Sequence, residues 1–219
     1  MKIIICGDST AASYAERDRP MTGWGQVLPE YVRPEVINLA FPGRSTKSFI
    51  SEGRLVEAEK MLEPGDLLLI QFAHNDEHTL VWRHTDPWTS YLNNLRIFVE
   101  TARTYDAIPV LLTPICLRTF QEGRLLESHG DYPRAMKHLA GAEKVPFIDL
   151  YRSSLEAVDA LGDEGSRKWF MHLSPGESEA HPRGLQDDAH TRREGAEAMA
   201  SFVCQGLLAL NLPLKEALQ

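Results

Sequence analysis

Hydrophobic positions along the chain fall into short continuous runs separated by longer stretches of helical spacing. The runs at residues 2–6, 36–40, 67–72, 110–113 and 147–150 predict strands. Most are apolar at successive positions, as expected where both faces of a strand are covered. Between them, Trp88, Leu92, Leu95, Val99 and Ala102 form one helical stripe. Leu155, Ala157, Val158 and Leu161 form another, which Gly162 is expected to end. After His190, Ala196, Met199, Val203, Leu207 and Leu210 line one side of a final helix. Residues 162–188 lack a strong period and read as a surface excursion. Strands alternating with helices predict an α/β protein: a three-layer α/β/α sandwich around a flavodoxin-like, five-stranded parallel sheet, with residues 1–219 as one domain. Ligands of such sheets bind beyond the carboxyl ends of the strands, so the residues that follow each strand are where chemistry is sought.

Composition changes this picture little. The 219 residues are 43% hydrophobic and 25% charged, ordinary proportions for a globular domain. The net charge of −8 argues against nucleic acid and anionic membranes as partners, since both require a basic face. No apolar run approaches the roughly 20 residues of a membrane span. The opening run is too short for the core of a signal peptide. Three widely spaced cysteines, Cys6, Cys116 and Cys204, each sit in apolar surroundings and read as free thiols. A cytoplasmic protein, monomeric or a small homo-oligomer, is the expectation.

Four places carry candidate chemistry, and three directly follow a predicted strand. Gly7-Asp8-Ser9-Thr10 follows the first, placing Ser9 at an expected helix N-terminus, where it serves equally as a cap or as an exposed nucleophile. Gly43 lies in the turn after the second and offers a backbone N–H with no side chain in the way. Asn75, in Ala73-His74-Asn75-Asp76 after the third, carries an amide suited to a developing negative charge. Asp187 precedes His190 by three residues in an expected turn, a spacing that lets a carboxylate reach Nδ1 and leaves Nε2 facing outward. Nucleophile, base, orienting carboxylate and oxyanion donors are thus each present on one expected sheet edge.

These motifs, in this order, resemble the SGNH (GDSL-type) hydrolase superfamily over nearly the whole chain. Gly7-Asp8-Ser9-Thr10, Asn38 with Gly43-Arg44-Ser45, and Phe72 with His74-Asn75-Asp76 are similar to the rhamnogalacturonan acetylesterase branch. The resemblance implies Ser9 as nucleophile, His190 as base and Asp187 as its orienting acid. It implies an oxyanion hole from the Ser9 and Gly43 N–H groups and the Asn75 amide, no cofactor and no metal. It further implies acetylated pectic oligosaccharides as substrate. Ala73 stands where the family carries glycine, so a shifted loop is the expectation there if that position needs positive φ. Arg44, His74, Trp82 and Arg83 are candidates to meet the sugar, Arg for a uronate carboxylate and Trp for a ring face; Trp24, Trp88, His84, Arg192 and Arg193 are further candidates. Gly-x-Ser-x-Gly is missing, which argues against an α/β-hydrolase. A metal site on His74 and His78 is the weaker competing reading.

Overall fold

The computed structural model describes residues 1–210 and 212. Its elements are β1 Lys2–Gly7, α1 Trp24–Val27, β2 Glu35–Asn38, α2 Thr46–Ser51, α3 Arg54–Glu59, β3 Leu67–Gln71, α4 Ser90–Thr104, β4 Ile108–Leu112, β5 Phe120–Gln121, β6 Arg124–Leu125, α5 Tyr132–Glu143, β7 Phe147–Ile148, α6 Leu150–Ser166, β8 Phe170–Leu173, β9 Leu185–Thr191 and α7 Arg193–Ala209.

The five runs predicted as strands form one parallel sheet in the order β2-β1-β3-β4-β7. Alternation within each run explains why both faces are apolar. Ile4, Cys6, Leu68 and Ile70 point to a core built with Phe49 of α2, Leu55 of α3, Leu95 and Phe98 of α4 and Met136 of α5. Ile3, Ile5, Leu67 and Leu69 point the other way, to Trp24 of α1 and to Met199, Val203 and Leu207 of α7. The result is the expected three layers. The chain reverses direction across the sheet at β1, which leaves a crevice between the carboxyl ends of β1 and β3.

Two local expectations change and one holds. Trp88 lies outside α4, is 46% exposed and donates its indole N–H to Asp131 Oδ2 at 3.1 Å. Gly162, at a φ of 69° and a ψ of 177°, ends the first helical stretch of α6 as expected, and a second stretch continues from it to Ser166. The largest difference is residues 162–188, which include β8 and all but the last residues of β9, an antiparallel ribbon. The polar sequence of β9 hides that strand, since backbone pairing to β8 and charged contacts hold it instead of apolar alternation. Among the described residues, no helix is long and apolar enough to cross a membrane.

Candidate active site

β1 delivers its chain into a turn rather than a helix, and Asp8 caps that turn in place of Ser9. Asp8 is fully buried and accepts hydrogen bonds from the Thr10 N–H at 3.0 Å and the Thr10 hydroxyl at 2.8 Å. Gln71, at the end of β3, reaches the other Asp8 oxygen at 3.4 Å, while its own carbonyl oxygen accepts the Trp24 indole N–H at 3.1 Å. Burial works to raise the Asp8 carboxyl, but the nearby His74 ring and the Thr10 donors outweigh it and hold it below its ordinary range. Ser9 is therefore released from capping. Its carbonyl accepts the Tyr14 hydroxyl at 2.8 Å, and its own hydroxyl lies 2.9 Å from His190 Nε2.

His190 is carried by β9. Its Nδ1–H donates to Asp187 Oδ2 at 2.7 Å, while Asp187 Oδ1 accepts the backbone N–H groups of Ala189 and His190 at 2.8 and 3.0 Å. Burial opposes ionisation of both, yet their mutual bond prevails: Asp187 falls to about 2 and His190 rises above the ordinary imidazole value. The adjacent Asp188 turns the opposite way. It accepts Arg118 Nη1 at 2.7 Å and faces His172 Nε2 at 2.7 Å. Arg118 is 4% exposed and also holds Ser166, the Asp163 carbonyl and the Asp163 carboxylate. It anchors β9 from behind.

A second bracket joins the two halves. Thr22 N–H donates to the Thr191 carbonyl at 2.9 Å, and Trp24 N–H donates to the Thr10 carbonyl at 3.0 Å. The segment before α1 thus touches the residue after Ser9 and the residue after His190.

Gly43 adopts a φ of 79°, a left-handed turn that favours glycine. Next to it, the Arg44 carbonyl accepts Asn75 Nδ2 at 3.1 Å, and Asn75 Oδ1 accepts Arg83 Nη1 at 2.7 Å. Asp76, fully buried, binds Thr46 N–H at 3.1 Å, the Thr46 hydroxyl at 2.5 Å and the Thr85 hydroxyl at 2.9 Å. Burial, opposed by these donors and aided by Asp8, raises its carboxyl to about 7. Asn75 and Asp76 together therefore lock the Gly43 turn to the end of β3. Ala73 is fully buried and is not among the residues of positive φ, so its methyl group suits the backbone there.

The remaining candidates divide. Arg44 directs its guanidinium to Glu52 at 2.9 Å and to the Pro42 carbonyl at 2.9 Å. Arg192 and Arg193 pair with Glu177 and Glu30. Trp24 is buried, a core residue, whereas Trp82 and His84 are exposed. His74 lies 3.5 Å from Asp8 with both ring nitrogens free of hydrogen bonds. His78 is exposed, and among the described residues no three His, Cys, Asp or Glu side chains form a metal-ligand set. Sequence reasoning missed Asp8, Gln71, Arg118 and His129. His129 packs on His74 with ring centroids 4.4 Å apart and bridges Glu77 and the Ile115 carbonyl. Only Asp8 and Gln71 had a signal, as polar residues flanking apolar strands; nothing in the local sequence marks the other two.

Residues 5–198 match the model of the GDSL-like lipase/acylhydrolase family. A rhamnogalacturonan acetylesterase of Bacillus subtilis is 38% identical over 221 residues, covering 100% of this chain and 94% of that relative. A probable rhamnogalacturonan acetylesterase of the same organism is 36% identical, covering 99% and 96%. The crystal structure of Bacillus subtilis protein YxiM superposes with a TM-score of 0.77 at 27% identity, over 94% of this chain and 55% of that one.

Proposed function

The chain belongs to the GDSL-like lipase/acylhydrolase family, and on that premise we propose that it is a serine carbohydrate esterase removing O-acetyl groups from pectic, rhamnogalacturonan-type oligosaccharides. The observation that carries the chemistry is the unbroken chain from Ser9 Oγ to His190 Nε2 at 2.9 Å and from His190 Nδ1 to Asp187 at 2.7 Å. The substrate class rests on the relatives that share the chain's full length.

His190 Nε2 takes the proton of Ser9 as Oγ attacks the acetyl carbonyl. Asp187 keeps Nδ1 protonated and stabilises the imidazolium that forms. The carbonyl oxygen gains negative charge, met by the N–H groups of Ser9 and Gly43 and by Asn75 Nδ2. The tetrahedral centre collapses, its bond to the sugar oxygen breaks, and that oxygen leaves with the proton from His190. Water, deprotonated by the same nitrogen, then attacks the acetyl-serine and frees acetate.

One domain is enough for this, since both ends of the chain supply the site. Free Cys6, Cys116 and Cys204 fit a reducing, cytoplasmic compartment, where the substrate is an imported oligosaccharide.

Ser9→Ala should abolish turnover of p-nitrophenyl acetate and labelling by a fluorophosphonate while leaving the circular dichroism spectrum intact. Full activity in that variant would end the proposal. Acetate release from acetylated rhamnogalacturonan, compared with acetylated xylan, tests the substrate class separately.

A further inference from the structure

Asn75 has one carbonyl oxygen and one NH2 group, nearly the same shape, and only the NH2 stabilises an oxyanion. Something must decide which way the amide faces. The decision is made by two neighbours of opposite character. Arg83 Nη1, a donor with no lone pair to offer, lies 2.7 Å from Asn75 Oδ1. The Arg44 carbonyl, an acceptor with no proton, lies 3.1 Å from Asn75 Nδ2. Rotating the amide by a half-turn would set NH2 against guanidinium N–H and oxygen against oxygen, losing both bonds at once. One Nδ2 hydrogen is spent on Arg44, and the second remains for a ligand.

Arg83 is well placed for this single duty. Arg44 and Arg54 share the Glu52 carboxylate, whereas the polar contact made by Arg83 is to Asn75. Its Nε is buried without a hydrogen-bond partner, so the side chain is held by the Asn75 bond and by its position 5.2 Å from the centroid of the Trp82 ring. Its backbone N–H closes a turn onto the Leu80 carbonyl at 3.0 Å.

We infer that Arg83 is a positioning residue that fixes the Asn75 amide with Nδ2 toward the oxyanion, rather than a direct contact to the sugar. The inference rests on the esterase mechanism proposed above. Because Arg83 acts through Asn75, its effect must appear on a substrate with no sugar and must vanish once Asn75 is gone.

The experiment is a double-mutant cycle on p-nitrophenyl acetate. Arg83→Met should lower kcat roughly 10–100-fold with little change in KM, a smaller loss than the roughly 10²–10³-fold expected of Asn75→Ala. Adding Arg83→Met to Asn75→Ala should cost nothing further. Arg83→Lys, which keeps a cationic donor on that side and guards against a folding failure of the methionine variant, should retain more kcat than Arg83→Met. Wild-type kcat in Arg83→Met, or losses that multiply in the double variant, would overturn the inference. A defect confined to KM for uronate-bearing oligosaccharides would also overturn it, in favour of direct sugar recognition. Wild-type kcat in Asn75→Ala would instead strike the oxyanion hole of the proposed mechanism, so the two failures are distinguishable.

Discussion

The turn after β1 demands a buried acceptor, and Asp8 supplies it while Ser9 stays free to face His190. The same division of labour recurs at Asp187 and Asp188, adjacent carboxylates turned to different partners. Asp187→Asn should cut kcat on the order of 10³–10⁴-fold, because the wrong imidazole tautomer would then be favoured. Asp188→Asn should instead lower stability by ~1–2 kcal/mol in urea unfolding, since Asp188 is 44% exposed and Asp163 still pairs with Arg118. In the proposed mechanism His190 must be neutral to accept the Ser9 proton, and its folded pKa is raised by Asp187 despite burial. The acid limb of kcat/KM should therefore have its midpoint above the ordinary value of about 6.5. A midpoint at or below that value, measured on p-nitrophenyl acetate from pH 5 to 9, would contradict the His190–Asp187 pairing. Ser9, Asn75 and His190 were legible in the sequence because each follows an apolar strand or precedes the final helix, whose apolar stripe is plain. Asp8 stood in plain view but read as a neighbour, because nothing local says which of two adjacent polar side chains turns inward.

Among elements, the strands of the main sheet were legible because burial on both faces leaves continuous apolar runs. β9 was not: Leu185-Gln186-Asp187-Asp188-Ala189-His190-Thr191 lacks the spacing of a core strand. Its place is set by pairing to β8 and by Arg118, contacts between residues far apart in the chain. The bracket before α1 was equally invisible, and it depends on a close approach. A Cβ added at Gly23 would lie 2.2 Å from the Ala12 carbonyl oxygen. Gly23→Ala should thus push Thr22 and Trp24 away from Thr191 and Thr10. We expect a loss of roughly 1–3 kcal/mol in urea unfolding, with kcat falling as the Ser9–His190 distance loosens. Unchanged stability would mean that this contact is slack.

Across the whole molecule, the site's carboxylates and imidazole tie stability to pH. Asp187 is lowered to about 2 and Asp8 is lowered as well, so their stabilisation is present above the unfolded carboxylate value near 3.9 and is lost as pH falls through their folded values. His190 is raised, so its contribution is complete below about 6.5 and fades as pH rises through its folded value. Asp76, raised to about 7, works in the same direction: its stabilisation is complete below about 3.9 and is lost as pH climbs through 7. Urea midpoints should therefore decline on both sides of the mildly acidic range. Asp76→Asn, which keeps an acceptor oxygen and has no proton to lose, should flatten part of the alkaline decline.

Ser9 and His190 are separated by 181 residues, yet their side chains touch. On a ribosome adding about 5–20 residues per second, Ser9 is made roughly 10–35 s before His190. On the proposed mechanism, the nascent chain holds through that interval an ordinary alcohol without the partner that would activate it. It stays inert until β9 is made and paired with β8 and Arg118. On the proposed mechanism, catalytic competence thus reports that the chain from Ser9 through His190 has been synthesised and folded.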